Sequence, residues 1–463
     1  MYTFISLLVL LLSYYLFKKV SGSLKFTQLN MISWIFFYNL ILESFIASIL
    51  VVNNIDNHYL ISKISNEDSR IYGWLAVQYT MIMMPLGMLF VVKLFGYKNN
   101  NRIFQRYVHS PIKPLLSIRD SYIRYPFYVL SIVSVLSVLY VMSSLKTIPI
   151  KSIIQGLGPE ELASLRQEAS RGFTGNTYIK NIFALGLTPI LSYVAYSYYK
   201  MTRTNKDLVV FIVLFICSFF ILTYDLEKAP SIQYLMGFLF LNILIKGSVK
   251  KTTLIFFFGM SLLFLVVYYF LISKINDLFV LFNYNSGIIG RIILTQSAGT
   301  YLSFDIFPTH IDYIGFNSIS KFLNGIFGIP YSERSARLIM EYVNPKGVYA
   351  GQAGVINSLF IAEAWANFGL VGAIIAPFYV GMVIQAIFMF FIKMPKTPLL
   401  LGLFTYFSYR SYVTGGFNDY LYNAGNFVII ILFIMIYFSG LALKQMRVKR
   451  YETNDLSLSS TSR

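Results

Sequence analysis

Residues 366–392 read ANFGLVGAIIAPFYVGMVIQAIFMFFI, and no side chain in this stretch is charged. About 20 apolar residues in a helix are enough to cross the hydrocarbon core of a bilayer, which is about 30 Å thick. A buried strand is much shorter, so the length of this run favours a helix. The stretch therefore predicts a membrane-spanning helix.

Apolar runs of this kind recur along all 463 residues, of which 56% are hydrophobic and only 13% are charged. That charged fraction is about half of what a soluble domain carries. We therefore predict an all-α polytopic membrane protein that forms a single integral membrane domain over residues 1–463, with about eleven spans. The predicted spans are 2–17, 28–52, 71–92, 125–145, 179–199, 208–224, 229–245, 252–273, 366–392, 397–413 and 425–443.

The charges in the loops predict the orientation, because cytoplasmic loops carry an excess of Lys and Arg. When the loops alternate, one set holds 23 of the 38 Lys and Arg and four of the 20 acidic residues. The other set holds 15 Lys and Arg and 14 acidic residues. We assign the basic set to the cytoplasm, which places the N-terminus outside and the basic tail 444–463 inside. This asymmetry and contact with membrane lipid explain the net charge of +18, so no nucleic-acid partner is expected.

Two predicted outer loops are long, namely 146–178 and 274–357. The first contains GPEELASLRQEASRGFTGN (158–176), whose spacing predicts a short amphipathic helix with Arg166 and Arg171 facing water or a ligand. The second lies between the eighth and ninth spans and contains apolar residues throughout. We expect it to form a compact lid of short helices on the membrane face.

A further helix is predicted in YSERSARLIMEYVNP (331–345), with Ser332 as its cap. Glu333 and Arg337 are four residues apart, as are Arg337 and Glu341, so we expect ion pairs at both spacings. Arg334 and Arg337 are three apart and are predicted to share one face. Two interpretations remain open, a solvated helix with surface ion pairs or a pair of arginines that binds an anionic ligand.

Glu363 is thirty residues before Lys393, which we place at the inner face. On a straight helix this separation is roughly 45 Å, so we predict that Glu363 lies at or just above the outer interface. Two roles are open for it there, a general base or a structural partner of an arginine.

Outward-facing arginines suit a ligand with phosphates, because the guanidinium group matches phosphate oxygens in pairs. No nucleotide-binding signature occurs, so a donor that is already activated, such as a lipid-linked diphosphate glycan, fits this pattern best. A carboxylate such as Glu363, or His310, is a candidate base for an acceptor hydroxyl.

Neither a metal site nor a cofactor is expected, because the three histidines and the single cysteine lack ligand spacing. The outer cations available for phosphate are Arg166, Arg171, Arg291, Lys228, Arg334 and Arg337.

Two segments resemble a known family. GQAGVINSLFIAEAWANFGLVGAIIAPFYVG (351–381) resembles the tract after the large periplasmic loop of bacterial oligosaccharide repeat-unit polymerases, the Wzy-type O-antigen or capsule polymerases. LTYDLEKAPSIQYLMGFLFLNILIKG (222–247) is similar to another tract of that family, although Lys228 stands where many relatives have arginine. The number of spans and the two long outer loops also match.

This resemblance implies the fold of metal-independent polyprenyl-phosphate glycosyltransferases in the bacterial inner membrane. It implies transfer of the growing glycan from undecaprenyl diphosphate to a hydroxyl of a new lipid-linked repeat unit on the periplasmic side. A chain-length regulator and a flippase of the same pathway are the implied partners. The resemblance implies that the family's loop arginines correspond to Arg166, Arg171, Arg291, Arg334 and Arg337.

Two other functions remain open from the sequence. The first is an O-antigen ligase, which resembles this layout and depends on a histidine in the large outer loop, here His310. The second is a flippase or transporter of a lipid-linked anion, which needs polar residues in several spans. Apart from Glu43, the predicted spans contain almost no such residues, and this favours an enzyme.

Overall fold

The computed structural model describes residues 1–96, 100–114, 121–145, 172–225, 227–272, 277–350 and 353–460, together with positions 161, 165 and 169. Regular structure in these ranges is helical, and no strand occurs among the described residues. Several of the helices are long and apolar enough to cross a membrane. The predicted class, an all-α multi-pass membrane protein, is confirmed at this level.

The helices are numbered here in chain order, with the two short 3₁₀ turns at Phe26–Gln28 and Ile61–Lys63 left unnumbered. The first nine are α1 (Tyr2–Val20), α2 (Met31–Val52), α3 (Asp68–Leu94), α4 (Asn100–His109), α5 (Ser121–Ser144), α6 (Ile179–Thr202), α7 (Asn205–Thr223), α8 (Lys228–Lys246) and α9 (Lys251–Ile272). The others are α10 (Leu278–Leu281), α11 (Ile288–Ile306), α12 (Lys321–Phe327), α13 (Ser335–Val343), α14 (Pro345–Tyr349), α15 (Phe360–Lys393), α16 (Pro398–Arg410), α17 (Asn418–Leu421) and α18 (Ala424–Ser460).

Nine candidate spans occur in the described part of the chain, and each coincides with a predicted one. The predicted span 252–273 corresponds to α9, whose described apolar part is shorter. The predicted span 397–413 corresponds to α16, which has only 13 residues. Such a helix rises about 20 Å, less than the thickness of the hydrocarbon core. The count of eleven is therefore not confirmed, and the orientation that depends on it stays a prediction.

Helices α3 and α15 cross at a distance that only glycine allows. A Cβ atom at Gly87 would collide with the carbonyl oxygen of Phe378, and one at Gly381 would collide with that of Met84. Small residues at such crossings let two backbones approach, which strengthens packing where lipid provides no hydrophobic driving force. This contact fixes α15, and with it the residues at its N-terminal end.

Helix α15 is sharply bent at Gly369, where φ is 58° and ψ is −143°. Only glycine adopts this backbone conformation readily. The bend brings the arm Phe360–Phe368 back toward the main part of the helix, so that the position of a Cβ on Gly372 overlaps the carbonyl oxygen of Ala364. The straight-axis distance of roughly 45 Å for Glu363 is therefore wrong.

The second long loop contains more than short helices. Helix α11 has 19 residues, most of them buried, and it packs against α2, α3 and α15. Helix α13 begins at Ser335, so the predicted cap at Ser332 is wrong, because the backbone of Arg334 is still extended. Its end at Val343, just before Asn344 and Pro345, agrees with the sequence.

Most of the first long loop, including Arg166 and Arg171, lies outside the described residues. Of the helix predicted there, the structure describes only Glu161, Leu165 and Ala169, which are in helical conformation. In the basic tail, α18 continues as a helix to Ser460.

Candidate functional site

Arg334 and Glu363 form an ion pair where the second long loop, 274–357, meets the bent end of α15. This loop is called the outer segment after its predicted side. The Nε atom of Arg334 lies 2.8 Å from Oε1 of Glu363, and Nη2 lies 2.8 Å from Oε2. Glu363 stands in the first turn of α15, where the helix dipole favours an anion. Its side chain is only 2% exposed, whereas that of Arg334 is 35% exposed. The guanidinium therefore matches the buried carboxylate edge to edge.

Asp419 is a second acidic partner of the same guanidinium group. The Nη1 and Nη2 atoms of Arg334 lie 3.1 and 3.3 Å from the two carboxylate oxygens of Asp419. The neighbouring backbone amide of Asn418 donates to Oε2 of Glu363 at 2.8 Å. Burial disfavours the charge of Arg334, but the hydrogen bonds and charges of Glu363 and Asp419 outweigh it and raise the pKa of Arg334. One cation thus lies between two anions.

Gly416 makes room for this ion-pair cluster. A Cβ atom at this position would collide with Nη2 of Arg334 and with Oε2 of Glu363. Any side chain would therefore separate the two charged groups. Glycine at position 416 is required by the close approach of the charged groups to the backbone.

Three polar side chains next to the ion pair connect the outer segment, α15 and α17. The amide of Asn367 donates to Oδ1 of Asn418 at 2.9 Å, and Ser318 donates to Oδ1 of Asn367 at 3.1 Å. Asn418 in turn donates to the carbonyl oxygen of Ser318 at 2.9 Å. All three residues are buried, so each hydrogen bond replaces one to water. This network fixes Asn418 and Asp419 relative to Glu363.

Glu43 lies beside the same glycine-containing segment. It belongs to a π-helical part of α2, Ile35–Phe45. Its carboxylate accepts hydrogen bonds from Asn39 at 2.7 Å and from Thr414 at 2.6 Å. π-Helical turns are rare and often occur at functional sites. Here the hydrogen bond from Thr414 to Glu43 links the π-helical part of α2 to the chain that leads into Gly416.

A cavity of about 250 Å³ opens next to this cluster. Asp419 lines it, so one carboxylate belongs to both the ion pair and the cavity. Arg410, at the end of α16, lines it as well. The apolar part of the wall comes from α15 and α18. The lining residues are Val383, Ile387, Phe407, Arg410, Ser411, Tyr412, Asp419, Tyr420, Leu421, Tyr422, Asn423, Asn426, Phe427 and Ile430.

Arg410 differs from Arg334 in its surroundings. Its guanidinium lies 5.8 Å from the ring centre of Tyr406, a cation–π contact. Among the described residues, no carboxylate is within ion-pair distance of Arg410. Arg334 is neutralised by its two acids, whereas the contacts described for Arg410 are with aromatic side chains. The arrangement suits a ligand with an anionic group and an apolar part.

The other loop residues predicted for the site lie apart from this cluster. Arg337 pairs with Glu341 at 2.7 Å, as the spacing predicts, and does not reach Glu363 by any hydrogen bond among the described residues. The predicted pair of Arg337 with Glu333 does not occur among the described ion pairs, because the helix begins only at Ser335. His310 is exposed, and its ring stacks on Tyr342 with the ring centres 5.1 Å apart. Within the described chain, no hydrogen bond joins His310 to Arg334 or Glu363. Of the two roles open for Glu363, this geometry favours the partner of an arginine.

The structure shows less about the remaining predicted cations. Arg291 lies in the first turn of α11 with an exposed side chain. Lys228 is the first residue of α8. Arg166 and Arg171 lie outside the described residues. Their binding of a ligand stays a prediction.

Arg410, Asp419 and Asn418 were missed by the sequence reasoning. The segment FTYFSYRSYVTGGFNDY (404–420) contains the signal, since one arginine follows an aromatic apolar run and a Gly-Gly pair precedes an acid. An isolated charge at the end of an apolar run deserves a functional hypothesis. The run was interpreted as a complete span, and this hid the polar turn that follows it.

No family model, curated protein or solved structure matches this chain. The resemblance to repeat-unit polymerases therefore rests on the sequence motifs alone. Any functional conclusion has to come from the chemistry of the cavity and the ion-pair cluster.

Proposed function

We propose that the protein is a polymerase of lipid-linked oligosaccharide repeat units at the outer face of a bacterial inner membrane. The observation that supports this most directly is the cavity beside α15 and α18. It combines Arg410, a carboxylate of Asp419 and an apolar wall. An undecaprenyl-diphosphate-linked oligosaccharide has the matching parts, namely two phosphates, hydroxyl groups and a long hydrocarbon chain.

In this proposal the diphosphate lies against Arg410, because a guanidinium binds phosphate oxygens in pairs. The first isoprenoid units lie along Phe427 and Ile430 of α18. The amides of Asn423 and Asn426 provide donors and acceptors for sugar hydroxyls. A site that is apolar on one side and polar on the other is typical of ligand pockets.

The proposed reaction exchanges one bond at the anomeric carbon of the donor glycan. A hydroxyl oxygen of the acceptor repeat unit forms a bond to that carbon, while the bond from the carbon to the diphosphate oxygen breaks. The electron pair of the broken bond leaves with undecaprenyl diphosphate, whose negative charge Arg410 stabilises. The hydroxyl proton passes to a carboxylate, for which Asp419 is the candidate in the cavity.

Arg334 then acts as a positioning residue. Its guanidinium holds both oxygens of Asp419 and is itself held by the buried Glu363. The cluster has one positive and two negative charges, so it is a poor site for a diphosphate. Phosphate contacts from Arg166, Arg171 and Arg291 remain part of the proposal. Glu363 and His310 are the candidate bases that the sequence predicts.

The test uses the purified full chain in liposomes with undecaprenyl-diphosphate-linked repeat units as the only substrate. We expect a ladder of lipid-linked products that differ by one repeat unit. Asp419→Asn should shorten the ladder or abolish it, because the amide cannot accept the hydroxyl proton. The matched control is Asp312→Asn, an exposed acid of the outer segment, which should leave the ladder unchanged.

The two alternative functions give different results, the first in the same liposomes and the second in liposomes that also contain a lipid A core acceptor. A flippase would move labelled substrate across the bilayer without lengthening it. An O-antigen ligase would require a lipid A core acceptor and would lose activity in His310→Ala. Either result, without a ladder, would contradict the proposed polymerase.

A further inference from the structure

Helix α12 buries the polar side chain of Asn324 and exposes three of its four large apolar side chains, while Lys321 at its start is also exposed. Asn324 is buried, and its amide donates to the carbonyl oxygen of Asn317. The side chains of Phe322, Ile326 and Phe327 point away from the protein, with exposed fractions of 67%, 62% and 71%. In water this arrangement is unfavourable, because hydration of large apolar groups raises the free energy. It is favourable where the surroundings are apolar.

The loop that contains α12 leaves the protein and returns to the same place. The amide of Ser332 donates to the carbonyl oxygen of Asn317 at 3.0 Å, which closes the loop Asn317–Ser332. Ser320 caps the helix through the amide of Leu323, and Gly328 ends it in a left-handed conformation. Its apolar tip therefore projects from a well-fixed base.

The base of this loop lies at the bend of α15. The amide of Gly315 donates to the carbonyl oxygen of Asn367 at 2.9 Å. The ring of Phe316, which is 61% exposed, packs on that of Phe368 with the centres 4.9 Å apart. The loop thus begins where the outer arm of α15 joins the part that crosses the membrane.

The exposed surface of α15 continues directly from this point. Leu370, Val371 and Ile375 are exposed by 65%, 64% and 57%, as expected for residues that face lipid. Phe316 contacts Phe368, which precedes Leu370 by two residues, so the base of the loop lies beside the exposed residues of α15. A single apolar environment, the bilayer, accounts for the exposed apolar side chains of both.

We propose that the loop Asn317–Ser332 inserts its apolar tip into the adjoining leaflet of the same membrane. Phe322, Ile326 and Phe327 lie in the interfacial and upper acyl region, as in interfacial amphipathic helices. Arg334 follows Ser332 by two residues, so the inserted loop sets the depth of the Arg334–Glu363 pair relative to the lipid. This inference concerns a lipid surface and holds whether or not the protein is a polymerase.

The test uses nitroxide labels on the full chain in phospholipid vesicles. The only cysteine, Cys217, is first replaced in Cys217→Ser, and single cysteines are then introduced as Phe322→Cys and Phe327→Cys. Val371→Cys provides a reference in lipid, and Lys346→Cys, an exposed position of α14, provides a reference in water. Since Phe322 and Phe327 are exposed, their replacement should leave the fold intact.

We expect the labels at 322 and 327 to resemble the label at 371, with relaxation enhanced more by oxygen than by a water-soluble nickel chelate. The label at 346 should show the opposite preference. Labels at 322 and 327 that resemble the one at 346 would place the loop in water and overturn the proposal. Protection from both agents would mean that protein covers the tip, a second copy or another chain, and would overturn it as well.

Discussion

Arg334 and Glu363 form an ion pair with two parallel contacts, Nε to Oε1 and Nη2 to Oε2, both 2.8 Å long. The pair joins the start of α13 to the arm Phe360–Phe368 of α15. It also places Asp419, the second partner of the guanidinium, at the edge of the cavity. Stability and the geometry of the proposed site thus depend on the same side chains.

Loss of one member of this pair should destabilise the fold. Arg334→Ala leaves the carboxylate of Glu363, which is 2% exposed, without its cation, and we expect a loss of about 3 kcal/mol in the free energy of unfolding. Glu363→Ala should cost a similar amount, and the double variant less than the sum of the two. Loss of helical circular dichroism on heating in detergent measures all three.

The matched control is Arg337→Ala. Arg337 pairs with Glu341, whose side chain is 42% exposed. Loss of this pair should lower the free energy of unfolding by less than about 1 kcal/mol. Equal losses for Arg334→Ala and Arg337→Ala would mean that the Arg334–Glu363 pair is an ordinary surface contact.

Gly416→Ala should also destabilise the fold, but through a steric clash and not through the loss of a charged group. The added Cβ collides with atoms of Arg334 and Glu363, so the ion pair must separate or the chain must move. We expect a loss of about 1–3 kcal/mol, typical of overpacking at a closely packed position. Gly325→Ala is the control, because no atom lies within 4 Å of a Cβ there. A fully stable Gly416→Ala variant would contradict the close approach.

Lys396, in the turn between α15 and α16, predicts a dependence of stability on pH. Its Nζ donates to the carbonyl oxygens of Val108 and Ser110 at 2.9 and 2.8 Å, and burial lowers its pKa from 10.5 to about 8. Between these two pH values the unfolded chain binds a proton that the folded chain has released. The free energy of unfolding should therefore rise with pH in this window.

Comparison with Lys396→Met isolates this contribution, since other titrating groups are common to both proteins. The stability difference, wild type minus variant, should increase from pH 8 to pH 10.5 in thermal unfolding experiments. A decrease over the same range would mean that the fold prefers the charged lysine, and the predicted sign would be wrong.

Apolar length predicted the long helices well, because a run such as 366–392 has few alternatives to a membrane-spanning helix. At 397–413 the predicted span is not confirmed, because the apolar residues of α16 are buried among other helices and the helix ends at Arg410. Hydropathy does not distinguish lipid from protein as the apolar surroundings. The bend at Gly369 was also missed, because a glycine in an apolar run is compatible with a straight helix.

The candidate site was predicted only in part. Local spacing indicated the pair Arg337–Glu341, since four residues bring side chains together on one helix. The pair Arg334–Glu363 joins residues 29 positions apart, and Asp419 is 85 positions from Arg334. Such contacts depend on the bend of α15 and on the end of α16. Neither feature follows from periodicity.

The central claim is that Arg410 holds the diphosphate of a lipid-linked glycan. Binding of undecaprenyl diphosphate to the purified full chain in nanodiscs tests it most directly, with wild type, Arg410→Ala and the control Arg106→Ala, an exposed arginine of α4, compared at one ionic strength. The account predicts that Arg410→Ala weakens binding at least about tenfold, as expected when a charge-assisted contact worth about 1.5–3 kcal/mol is lost. Arg106→Ala should bind like the wild type. Equal affinity of Arg410→Ala and the wild type would contradict the claim.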